Sequence, residues 1–239
     1  MIDARVISIG ALASHPLRDE RGGKRTGHGT TVLIRGGGRV VLVDPSLPEA
    51  VLAARLDEHA GLSPGAVTHV FLTSFNPELR RGLGAPSGGG AFDHATWWIS
   101  ESEREHVGVA MATRLRELVE RGDSDAPLRE ALELDVAILR RCAAAPDTLV
   151  SDRGERADLF PLPGVTPGLC GVLLAGSRHT TLICGDAVPT VEHLDQGKVL
   201  QNAADVALAR QSFADAVEIA DLLILGRDNL VVNPTKRAF

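Results

Sequence analysis

Several features that mark whole classes of protein are missing from this chain. No apolar run reaches the roughly 18 residues that a membrane span needs, and residues 1–14 lack the basic start and long apolar middle of a signal peptide. The expectation is a soluble, cytoplasmic protein with no membrane partner. The three cysteines, Cys142, Cys170 and Cys184, form no Cys-x-x-Cys pair and are too few and scattered for a disulfide framework. They read as buried small hydrophobes. Aromatic residues make up only 3% of the chain, and the net charge of -6 comes from interspersed charges of both signs. Neither a basic face nor stacking platforms for nucleic acid are therefore expected. No Gly-x-Gly-x-x-Gly and no Walker lysine occur, so phosphate-cradling loops of those kinds are absent.

What the chain does have is material for one core. At 239 residues and 44% hydrophobic content it can bury a sizeable interior, and residues 1–239 read as a single domain. Residues 4–12 alternate weakly as a first strand, and Asp19 to Arg25 form a solvated loop. Val51, Leu52 and Leu56 at helical spacing, with Pro48 at the first turn, predict a helix over residues 48–59. The glycine-rich stretch 82–90, with Pro86, reads as an exposed connection, and Trp97-Trp98-Ile99 as a short strand.

Ser100 and Glu103 have capping-box spacing, which predicts a helix running to about Arg121 before Gly122 stops it. A second helix over residues 127–145 carries Leu128, Leu132, Leu134, Ile138 and Leu139 on one stripe. Together they predict a helical hairpin insertion at about residues 101–146, a surface that could carry a homodimer contact. Residues 157–162, 171–174 and 180–184 read as strands, the last two joined through Ala175-Gly176-Ser177-Arg178. Residues 205–220 read as an amphipathic helix and 222–225 as a last strand.

The stretch that organises the rest is Thr68 to Leu83. Val70 to Leu72, preceded by the breaker pair Pro64-Gly65, reads as a buried strand that delivers Thr73 to Leu79 into a loop. Open α/β sheets place their chemistry at such strand ends.

This stretch resembles the Thr-His-x-His-x-Asp-His loop of the metallo-β-lactamase fold superfamily. Thr73 and Gly82 match outright; the three histidines fall on Ser74, Asn76 and Leu79, and the aspartate on Glu78. Other pieces resemble the family in the right order. Thr31 to Ile34 and Arg39 to Pro45 look like its early hairpin ending in Val-Asp-Pro. Pro163-Gly164-Val165-Thr166-Pro167-Gly168 resembles its Pro-Gly-His-Thr-x-Gly turn, with Val165 in place of the histidine. Cys184-Gly185-Asp186-Ala187 resembles its Gly-Asp-Ala segment, with the bridging aspartate kept as Asp186. Leu225-Gly226-Arg227-Asp228 resembles its closing Pro-Gly-His-Asp, with Arg227 for the last histidine. The resemblance implies an α/β protein built as a metallo-β-lactamase-like αββα four-layer sandwich, two mixed β-sheets flanked by helices.

It also implies a metal pocket at Ser74, Asn76, Glu78, Leu79, Val165, Asp186 and Arg227, and there the residues argue otherwise. A catalytic zinc needs about three nitrogen, sulfur or carboxylate donors. Leu79 and Val165 have no donor atom, and an always-protonated guanidinium at Arg227 repels a dication. Glu78 and Asp186 are the remaining anions, an oxygen set better suited to magnesium or calcium. Asn76 before Pro77 also reads as a turn residue, and Glu78 as a carboxylate favouring a helix start. A buried Asp186 without metal needs a cation, and the expectation is that Arg227 fills the pocket and pairs with Asp186, Glu78 or both.

His15, His28, His59, His69, His94, His106, His179 and His193 all miss the ligand positions; His28 and His193 are the ones to watch. Ser74 has Glu78 nearby in sequence but no Gly-x-Ser-x-Gly elbow around it. The expected reading is a degenerate-site member with no metal and no zinc cofactor. Its pocket binds a small anion through Arg227, Asp186, Glu78 and Asn76, with Arg80 or Arg178 nearby, or serves a structural or partner role. The alternative is a hydrolase of esters, thioesters or phosphodiesters using a non-standard or single metal site, as the resemblance implies.

Overall fold

A computed structural model describes residues 1–84, 88–120, 126–176 and 178–236. Pro86 of the glycine-rich connection, the expected helix end at Arg121 and Gly122, and Ser177 of the last hairpin lie outside them.

Two six-stranded sheets form the centre. The first holds β1 (Asp3–Ser8), β2 (Thr31–Gly36), β3 (Arg39–Val43), β4 (His69–Leu72), β5 (Thr96–Ile99) and β6 (Ala143–Ala144), neighbours in that order. Its β1–β2 and β2–β3 pairs are antiparallel, and β3 to β6 are parallel. The second holds β7 (Thr148–Asp152), β8 (Glu155–Pro161), β9 (Cys170–Ala175), β10 (Thr180–Ile183), β11 (Leu222–Ile224) and β12 (Leu230–Val232). There only β10–β11 is parallel.

The period of two along each strand divides the side chains between layers. Val32, Ile34, Val41, Val43, Phe71 and Trp98 face the second sheet and meet Val172, Leu174, Ile183 and Ile224. Their alternates Leu33, Leu42, Val70, Leu72, Trp97 and Ile99 face the other way. Over that outer face lie α1 (Glu49–Ala60), α2 (Glu101–Glu120) and α3 (Ala126–Arg141), contributing Leu52, Leu56, Ile138 and Leu139. On the far side, α4 (Val191–Gln196) and α5 (Val206–Ile219) cover Leu182 and Leu223 with Leu194 and Ala216. The result is the expected αββα sandwich.

Local differences have physical reasons. The helix expected over 127–145 stops at Arg141, because Ala143 and Ala144 pair with Trp98 and Ile99 and extend the first sheet. The first strand ends at Ser8 rather than residue 12, after an irregularity between Val6 and Ser8, and continues only as a bridge from Ala11 to His28. Strands β6, β7 and β12 and the short helix α4 are additions to the elements read from sequence. All three cysteines are buried and free, and burial pushes the Cys142 and Cys170 thiols up to about 11 and about 12. Among the described residues no helix is long and apolar enough to cross a membrane.

Candidate functional site

The loops after β4, β10 and β11 and the turn between β8 and β9 meet at one edge of the sandwich. Two buried links set their positions. At the end of β3, Asp44 sits in the left-handed region (φ 48°) and accepts hydrogen bonds from the Thr73 amide (2.9 Å) and hydroxyl (2.7 Å). Burial pushes the Asp44 carboxyl up to about 7, with the Asp186 charge adding to the effect while Thr73 and Arg227 oppose it. The second link is the Thr73 carbonyl, which accepts from the Cys170 amide (2.9 Å) and so ties the first sheet to the second.

Beyond Thr73 the chain turns over Pro77–Leu79. Asn76 caps that turn, its Oδ1 accepting from the Glu78 amide (3.0 Å), so the turn reading of Asn76 holds. Leu79 is buried against the bare backbone of Gly29, where a Cβ would collide with it. A Cβ on Gly27 would in the same way meet the Glu78 carboxylate. The glycines of Gly27-His28-Gly29 thus make room for the Glu78 and Leu79 side chains.

Arg227 is 4% exposed and its guanidinium reaches both carboxylates that the sequence leaves in the pocket. Nε and Nη2 donate to the two oxygens of Asp186 (2.7 and 2.8 Å), and Nη1 donates to Glu78 Oε2 (2.5 Å). Burial works against the charge, but Asp186 and then Glu78 more than offset it and hold the guanidinium above its ordinary pKa. The two loops that carry this pair approach so closely that a Cβ on Gly226 would strike the Gly185 carbonyl. Gly185 itself has φ 53°, which suits glycine.

Above the pair opens a cleft of about 650 Å³, within the range of small-molecule sites. Asn76, Glu78, Val165, Asp186 and Arg227 line it; Ser74 and Leu79 are buried and do not. The Ser74 hydroxyl makes no hydrogen bond to the described residues, and Glu78 is turned to Arg227, so no serine–carboxylate dyad forms. Arg80 points away, to Asp135 (2.6 Å) and across the Phe75 ring. Arg178 is exposed in the hairpin after β9, at the strand end away from the site.

Sequence reasoning missed several participants. Leu12, Ala13, Ser14 and Pro16 form one wall of the cleft, and Leu200, Gln201 and Asn202 another. The first wall is held by a buried cluster in which His15 Nε2 meets the Thr190 hydroxyl and Glu192 Oε2 (both 3.0 Å). His193 Nδ1 meets the same hydroxyl (2.8 Å), and Arg18 Nε donates to Glu192 (2.7 Å). Burial pushes His193 down to about 4, with His15 adding to the effect. His28, in contrast, only meets the carbonyls of Thr26 and Ile9.

Glu103 was also missed in this role. Its amide bonds to Ser100 Oγ (3.2 Å) as a capping box requires, but its carboxylate does not return to Ser100. It accepts instead from the Phe75 amide (2.9 Å), the Thr166 hydroxyl (2.7 Å) and the Gly168 amide (3.0 Å), joining two site loops. A buried acid three residues after a serine was the available signal, read as a cap because its partners are remote in sequence.

No family model matches the chain, and no curated protein matches it. Solved structures do. AidC, a dizinc quorum-quenching lactonase in complex with a product, is similar over 85% of this chain and 74% of its own, with 15% identity and a TM-score of 0.65. The hydrolase AbOPH of the β-lactamase superfamily is similar over 86% and 79%, with 16% identity and a TM-score of 0.61. A metallo-β-lactamase family protein from Thermus thermophilus is similar over 96% and 75%, with 18% identity and a TM-score of 0.59. At these identities the likeness establishes the fold. The residues lining the cleft do not fit the paired zinc ions of such a lactonase: they include no imidazole or thiolate, and their two carboxylates, Asp186 and Glu78, are engaged by Arg227. Among the described residues no group of three or more His, Cys, Asp or Glu could hold a metal ion.

Proposed function

We propose that this chain, which has the metallo-β-lactamase fold, works without a metal centre and binds a ligand in its cleft rather than hydrolysing one. The reading rests on one observation, the guanidinium of Arg227 lying between Asp186 and Glu78. One tethered positive charge meets the need for a cation that two carboxylates create, and it does so with directed hydrogen bonds. It also removes the means of making hydroxide at neutral pH, since water needs a metal to bring its pKa from ~15.7 to about 7. The Ser74 hydroxyl has no base beside it to act in its place.

The hydrolase alternative requires Glu78 and Asp186 as oxygen ligands of a single metal, and both are engaged by Arg227. Elemental analysis of protein purified without chelators or a metal-binding tag, before and after adding zinc, manganese and magnesium, separates the two. Metal well below one per chain is the expected result. Near-stoichiometric tight metal would overturn the reading and reopen hydrolysis.

A further inference from the structure

The cleft continues past Asn76 and Pro77. A second cavity of about 490 Å³ lies between these residues and the α2–α3 hairpin, and the two cavities share Asn76, Pro77 and Thr166. Its walls are largely apolar, formed by Phe75, Val107, Ala110, Met111 and Leu132. Its acids are already occupied, Glu103 by the two site loops and Asp135 by Arg80. Exposed Arg114 stands at its outer end.

Charge decides what the polar end prefers. Among the described residues that line the first cleft, Arg227 is the one cation and faces two carboxylates, which leaves the floor one negative charge in excess. Three of the five guanidinium N–H groups are already donated to Asp186 and Glu78, and those two carboxylates more than balance its charge, which disfavours an incoming anion. Glu78 gives Arg227 only Oε2. Its side chain is 32% exposed, and Oε1 has no hydrogen bond among the described residues.

We infer that the joined cleft and trench take an organic cation with an apolar body. The protonated amine sits against Glu78, the carboxylate with an oxygen to spare, and the hydrocarbon lies between Pro77 and α2. This departs from the small anion expected from Arg227 in sequence. It rests on the metal-free reading above, since a dication between Asp186 and Glu78 would reverse the sign of the floor.

The test is calorimetry on the intact protein at pH 7 and low ionic strength with octylamine, octanoate and 1-octanol, and metal content measured on the same sample. Octylamine should bind at least about tenfold tighter than octanoate, as complementary charge in a partly buried site favours. Glu78→Gln should abolish the preference for octylamine over 1-octanol, and Met111→Ser should weaken both. Equal or tighter binding of octanoate would overturn the inference. So would an amine preference that survives Glu78→Gln, or no binding of any probe. Near-stoichiometric metal in that sample would instead overturn the metal-free reading, and is read independently of the binding data.

Discussion

Arg227 and Asp186 are both almost wholly buried, so each depends on the other for its charge. Replacing one partner of such a pair leaves an uncompensated ion in low dielectric, a loss of about 3–5 kcal/mol. Arg227→Met should therefore lower the melting temperature by roughly 10 °C in a chain of this size. Arg227→Lys should recover little, because an ammonium cannot span both oxygens of Asp186 while reaching Glu78. A double variant, Arg227→Met with Asp186→Leu, should be more stable than Arg227→Met alone, since it removes the orphaned carboxylate; thermal melts of the three proteins check this. The pairing was legible in sequence because the resemblance puts a cation, Arg227, and a carboxylate, Asp186, in one pocket. The bidentate geometry was not, since it depends on how closely Gly185 and Gly226 let two loops approach.

Helices and loops act here as units joined by a few buried groups. The first turn of α2 supplies Glu103, whose carboxylate holds the loop after β4 and the turn before β9. Glu103→Ala would leave the Phe75 and Gly168 amides buried without acceptors, at about 1–3 kcal/mol each. Urea unfolding should show a loss of at least about 2 kcal/mol, with Glu103→Gln losing less because its carbonyl can still accept. Gly168→Ala should be as damaging as Glu103→Ala, because a Cβ there would run into the α2 backbone at Glu103. Long periodic elements such as α1 and α5 were legible to within a residue or two. Residues 143–144 were not: their alanines suit a helix, and sheet pairing with β5 captured them.

For the whole molecule, two buried groups set opposing slopes of stability against pH. The Asp44 carboxyl titrates near 7 in the fold and at its ordinary 3.8 unfolded, so between these values the folded chain holds the extra proton. Stability falls with rising pH across that window and is flat above it. His193 titrates near 4 in the fold against an ordinary 6.5, so there the unfolded chain holds the extra proton and stability rises with pH between about 4 and 6.5. Between pH 4 and 6.5 these two contributions therefore oppose each other in the melting temperature of the native chain. Asp44→Asn should expose the rise, and His193→Gln the fall.

Most of the order of strands and helices, the sandwich implied by the resemblance, and the side-chain chemistry available near Thr73 were carried by the sequence alone. Period and residue chemistry are local properties, and a side chain without a donor atom lacks one in any fold. Only the tertiary structure decided that Glu103 ties two loops, that Asp44 anchors Thr73, that His15 reaches Thr190 and Glu192, and that one guanidinium meets three carboxylate oxygens. Those contacts join residues 28 to 177 positions apart. No spacing in the chain records them, because they exist only once burial has brought the loops together.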